Sequence, residues 1–176
     1  MDYEYDDNEF PLAYLITIRC YGTWLHGDEK NAVDRHGYNL YGAPRRNSNL
    51  KLKNLMRLEM KQKPFLLSKR QREIIEEAIA EVCGHRGYQL QAINAQSNHA
   101  HAVVSAQIKP EPIIDAFKSY ATRKLRENML IDLRTKPWAR GRSRRYLWKP
   151  PRCARCRICF VWSGRCFAGF RWLILE

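Results

Sequence analysis

The chain has 176 residues, 45% hydrophobic and 28% charged, with 31 Lys/Arg against 18 Asp/Glu and a formal net charge of +13. That length suits one domain with a short appendage, and the balance suits a folded protein rather than a disordered or fibrous one. The opening MDYEYDDNEF is acidic, and the longest apolar stretch, ICFVWSGRCFAGFRWLIL, is interrupted by Arg165 and Arg171, so neither a secretory signal nor a membrane span is expected.

A cytoplasmic location follows as the default, and there the six cysteines are expected as thiols or metal ligands rather than disulfides. The charge is unevenly spread. Residues 1–132 carry 19 Lys/Arg and 17 Asp/Glu, whereas residues 133–175 carry 12 Lys/Arg and no acid. A basic block of this kind suits contact with phosphates, and equally a solvated basic tail.

In chain order, AYLITIRC (13–20) is a short β-branched run and predicts a strand. Residues 21–49 are rich in Gly, Asn, Asp and Arg and predict a long loop. NLKLKNLMRLEM (49–60) predicts a short basic amphipathic helix, stopped by Pro64. Ser68 opens a second helix with a capping-box pattern, SKRQ. Its apolar face is Ile74, Ile75, Ala78, Ile79 and Val82, and Gly84 or Gly87 ends it. YQLQAINAQ (88–96) and HAHAVVSA (99–106) then predict a β-hairpin, placed at the centre of the sheet. Pro110 and Pro112 start a further helix with Ile113, Ile114, Phe117, Tyr120, Ala121 and Leu125 on one face. RRYLW (144–148) predicts a last strand. The order βαββαβ points to a ferredoxin-like α+β sandwich, an antiparallel sheet with its helices on one face.

SNHAHAVVSA (97–106) places His99 and His101 on the same face of a strand. Two such histidines are often ordinary surface or core residues. Here the apolar flanks Ala100, Ala102, Val103 and Val104 mark a buried strand, where unpaired imidazoles would be costly and joint ligation of a cation would relieve that cost. Tyr120 shares a helical face with Phe117 and Ile113 and therefore points at the sheet. It is either a core aromatic or, if the histidines edge that face, a phenol close to their metal.

NHAHAVVS, FKSYATRKL and RGRSRRYLW, after YLITIRCYGTWLHGD, resemble the REP-associated tyrosine transposases and the wider insertion-sequence transposases of the single-tyrosine HUH nuclease superfamily. The resemblance runs from about Tyr14 to Trp148, with an insertion at about 27–67. It implies a metal-dependent single-strand DNA endonuclease and strand transferase working through a 5′-phosphotyrosine. His99 and His101 match the metal pair and Tyr120 the nucleophile, with Mg or Mn as the cation. Related enzymes often place a polar third ligand one turn after the tyrosine. That position is Lys124, whose ammonium cannot ligate, which leaves Glu127 or a residue elsewhere. Arg123, Arg140 and Arg144, with Arg142 and Arg145, are the expected phosphate contacts. Trp138, Tyr146 and Trp148 are expected either to stack on unpaired bases or to close the core, with the core favoured for Trp148. The expected partner is single-stranded or hairpin DNA, with no membrane and with a homodimer allowed.

Residues 149–176 form a basic, cysteine-rich tail without clean periodicity, which reads as an out-of-frame end beginning near Lys149–Arg152. Its rival is a metal site, since Cys153, Cys156 and Cys159 form C-x-x-C-x-x-C with Cys166 beyond, a spacing open to zinc or an iron–sulfur cluster. Two alternatives to the transposase therefore stand beside it: a catalytically decayed DNA-binding protein of the same family, and a Cys-ligated nucleic-acid-binding protein.

Overall fold

Ser68 does what its pattern predicts. Its hydroxyl accepts from the Gln71 backbone N–H at 3.3 Å, and Gln71 Oε1 accepts from the Ser68 N–H at 2.9 Å. Two otherwise orphaned donors at the helix start are thereby satisfied. The structure, a computed structural model, describes residues 9–28 and 48–148. Their elements are β1 (Ala13–Arg19), α1 (Leu50–Leu58), α2 (Lys69–Arg86), β2 (Gln89–Ala95), β3 (His99–Ser105), α3 (Pro110–Glu127) and β4 (Ser143–Leu147). Gly87 ends α2 at φ 67°, a left-handed conformation that costs glycine least. Pro110 opens α3 in its first turn, where its missing N–H is no loss.

The four strands form one antiparallel sheet in the order β2-β3-β1-β4. With α2 and α3 against one face, this is an α+β fold with the ferredoxin-like arrangement. One expectation needs correction. The hairpin contributes only β3 to the centre; β2 is an edge strand, because β1 inserts beside β3 and β4 closes the other side. β1 and β2 therefore run parallel, with β3 between them and α2 as their connection.

Side-chain alternation divides the sheet. Tyr14, Ile16 and Ile18 of β1, with Ala100, Ala102 and Val104 of β3, join Ile75, Ile79 and Val82 of α2 and Ile113, Phe117, Ala121 and Leu125 of α3 in one core. The other face carries a small cluster of Ala13, Ala92 and Val103 with Leu15 and Leu147. Phe117 is fully buried at the centre of the larger core. Phe117→Ala is expected to cost about 3–5 kcal/mol, read as a fall in the urea midpoint with the slope unchanged.

β4 is a short edge strand fastened to α3 by charge. Arg142 makes paired hydrogen bonds to Asp115 at 3.0 and 2.7 Å, and Arg144 meets Glu111 at 2.8 Å. α1 lies in the 27–67 insertion as expected. Asn49 caps it by accepting from the Leu52 N–H at 3.0 Å, and Lys53 pairs with Asp28 at 3.0 Å. None of its residues is buried. No helix among the described residues is long and apolar enough to cross a membrane. The tail 149–176, with its cysteine motif and its suspected frame change, lies outside the described residues. Cys20 and Cys83, which are described, are free and buried in the core, where burial pushes each thiol up to about 12.

Candidate functional site

The β1–β3 register sets Thr17 opposite His101 and Arg19 opposite His99. All four project from the face that α2 and α3 do not cover, because their neighbours Ile16, Ile18, Ala100 and Ala102 fill the helix-side core. The two imidazole rings lie 4.5 Å apart between centroids, inclined at 74°. His99 Nδ1 is 2.6 Å from Asn98 Oδ1, and His101 Nδ1 is 2.9 Å from Thr17 Oγ1. An amide oxygen only accepts, so His99 Nδ1 carries the proton and Nε2 keeps its lone pair. The Thr17 hydroxyl holds the His101 ring by the corresponding nitrogen, Nδ1. Such partners fix the orientation of ligating imidazoles.

Burial, and secondarily the Arg19 charge, holds His99 below the ordinary histidine range. Burial, and then His99, pushes His101 down to about 4. Both rings are therefore neutral at pH 7, the form that ligates a cation. The same shift predicts acid sensitivity. Between pH 6.5 and about 4 the unfolded chain takes up a proton at His101 that the native state refuses, so stability falls as pH falls through that window. In the metal-free protein the loss is expected at about 1–3 kcal/mol between pH 7 and pH 4.5. Urea midpoints at the two pH values measure it, and His101→Gln should flatten the dependence.

Two neutral imidazoles side by side are a donor set that suits a divalent cation such as Mn, and Mg less well because it prefers oxygen ligands. Among the described residues no third His, Cys, Asp or Glu joins them. Lys124, at the expected third-ligand position, is paired with Glu81 at 2.9 Å, and Glu127 with Arg123 at 3.6 Å. Both belong to α3, on the helix side of the sheet. Asn94, only 8% exposed, is the strand neighbour of His101 on β2.

Tyr120 is not brought to the histidines. It packs, partly buried, against the helix-side core, and the Arg123 guanidinium lies 4.3 Å from its ring centroid. His99 and His101 alternate with the strand residues that fill that core and so project from the other face. Tyr120 does point towards the sheet, as its helical position predicts, but towards the face opposite the histidines. Among the arginines, Arg123 is engaged with Tyr120 and Glu127, and Arg144 with Glu111 on the helix side. Arg142 is engaged with Asp115. Arg140 is exposed, in the loop before β4. Arg145, opposite Leu15 in the β1–β4 register, shares the histidine face.

The aromatics also divide. Trp138 is fixed by its Nε1–H, which donates to Lys118 O at 3.1 Å and Thr122 Oγ1 at 3.0 Å, and it packs on the core. Trp148 does not close the core; it is 41% exposed and stacks at 6.3 Å on Tyr146, itself 46% exposed. Arg19, Trp24, Thr17 and Asn98, all beside the imidazoles, escaped the sequence reading. Their signal was the T-W pair at 23–24 just after the first strand.

An antiparallel sheet backed by two helices, with an imidazole pair held on its far face, defines a small α+β domain with a candidate metal-binding surface. The family described as "Transposase IS200 like" matches residues 48–150, more than half of the 176 residues. The chain belongs to the IS200-like transposase family. No curated protein matches it.

Proposed function

We propose that this chain is a metal-dependent single-strand DNA endonuclease and strand transferase of the HUH type, akin to the REP-associated tyrosine transposases, and that it acts on single-stranded or hairpin DNA. The observation that carries this reading is the pair of neutral imidazoles, 4.5 Å apart between ring centroids, whose Nδ1 atoms are both engaged by Asn98 and Thr17. His99 and His101 would hold a divalent cation, Mn or Mg. The ion, when bound, supplies a Lewis acid for a non-bridging phosphate oxygen. The chain's own part is to keep both rings neutral and oriented, and to present a basic surface to the phosphates.

Phosphodiester transfer through a 5′-phosphotyrosine conserves the bond energy for rejoining, so no nucleotide cofactor is needed. The attacking phenol has to arrive from outside this sheet and its two helices. Tyr120 of a second copy is the candidate, which makes the homodimer the active form. Incubating the full chain with a labelled hairpin oligonucleotide and Mn tests this: a covalent protein–DNA adduct supports the enzyme, and its absence with intact DNA binding overturns it.

A second reading, DNA binding without cleavage, is favoured by one observation. Tyr120 lies under Arg123 on the far side of the sheet from His99 and His101. Binding of the same oligonucleotide with no adduct under any divalent cation is its signature.

A further inference from the structure

Arg19 is the last residue of β1, and its side chain lies on the histidine face opposite His99. Its guanidinium is 4.6 Å from the centroid of the Trp24 ring, and that ring is 5.8 Å from the His99 ring. The backbone around them is tied down on both sides. The Cys20 N–H donates to Asn98 O at 2.9 Å, the Tyr21 N–H to Pro137 O at 2.8 Å, and the Ala139 N–H to Arg19 O at 2.9 Å. The Thr23 hydroxyl donates to Cys20 O at 2.9 Å, which steadies the turn that carries Trp24.

Among the described residues Arg19 has no anionic partner. It is half-buried, and burial draws its guanidinium below the ordinary arginine value. None of the paired strand positions of this face is acidic. A partly desolvated cation with no carboxylate is costly, and stacking on an indole recovers only part of that cost. The other arginines of the region, Arg142 and Arg144, have carboxylates of their own.

We propose that Arg19 is a phosphate-binding residue of this site, its guanidinium pinned by Trp24 so that it grips a backbone phosphate of single-stranded DNA beside the imidazole pair. The planar fork of arginine suits two phosphate oxygens at once, which a lysine ammonium does not. Trp24 is a positioning residue, since it acts through the guanidinium it covers. The proposal rests on the reading that this face receives DNA, and it is independent of the metal.

The test is fluorescence anisotropy of the full chain with a labelled hairpin oligonucleotide bearing a single-stranded flank, in EDTA, across a salt series. Arg19→Gln is expected to raise Kd about tenfold and to shrink the slope of log K against log salt by about 0.7, one phosphate contact fewer. Arg19→Lys is expected to keep the slope with an intermediate Kd. Thermal unfolding of Arg19→Gln should be unchanged or raised, because an uncompensated cation has been removed. Unaltered Kd and slope in Arg19→Gln would overturn the proposal. So would a lowered melting temperature in both variants, which would make Arg19 structural. Failure of the wild type to bind the oligonucleotide overturns this proposal and the DNA reading together. Loss of Mn binding or of the adduct, with the Arg19 effect intact, overturns only the metal-dependent chemistry.

Discussion

The double substitution His99→Ala/His101→Ala is expected to abolish Mn binding and to reduce adduct formation at least about 1,000-fold, since a Lewis acid on the scissile phosphate supplies several kcal/mol at the barrier. Isothermal titration with Mn measures the first effect, and the rate of adduct formation the second. The fold should survive. Both rings project from the face away from the main core, while the alternate residues Ala100, Ala102 and Val104 that anchor β3 under the helices are untouched. Removal of the imidazoles also removes the acid-sensitive group, since His101 is the histidine driven down to about 4 by burial. The metal-free variant should therefore be no less stable than the wild type at pH 5, whereas simple loss of packing would make it less stable at every pH. Full adduct formation by the double variant would end the metal reading.

Mixing two inactive variants is the second decisive experiment. Tyr120→Phe should form no adduct alone, and neither should the histidine double variant. Their mixture is expected to recover up to about a quarter of the wild-type rate if subunits exchange at random and one site of each heterodimer is intact, by the symmetry of a two-fold assembly. The expectation follows from the two faces: Tyr120 packs on the helix-side core, whereas His99 and His101 alternate with the strand residues that fill it. Wild-type activity in Tyr120→Phe would remove Tyr120 from the chemistry and leave it as a core aromatic under Arg123. A mixture as inactive as its components, with the wild type active, would refute attack across a dimer.

Much of the fold was legible because its signals are local. The capping box at Ser68, the proline at the head of α3, and the apolar positions from Ile74 to Val82 each involve residues a few places apart. Strand pairing is not local. That β1 would insert beside β3, and so set Arg19 against His99, depends on a register between residues 80 apart in sequence. The same gap hid the fate of the arginines, because Arg142 and Arg144 find Asp115 and Glu111 only when β4 lies along α3.

Of the two readings of Tyr120, strand alternation favours the core aromatic. Alternation alone puts Ala100, Ala102 and Val104 on one face of the strand and His99 and His101 on the other. The apolar set is the one a helix must cover. A tyrosine facing the sheet from that helix then meets the alanine side. The apolar period of the helix and the histidine period of the strand therefore refer to opposite faces of the sheet.

The sheet order has a last consequence. β1 and β4 are antiparallel neighbours, with Ala13 directly across from Leu147. The polypeptide therefore enters and leaves the sheet through a single corner. Whatever is joined ahead of the first strand or behind the fourth is attached at that corner.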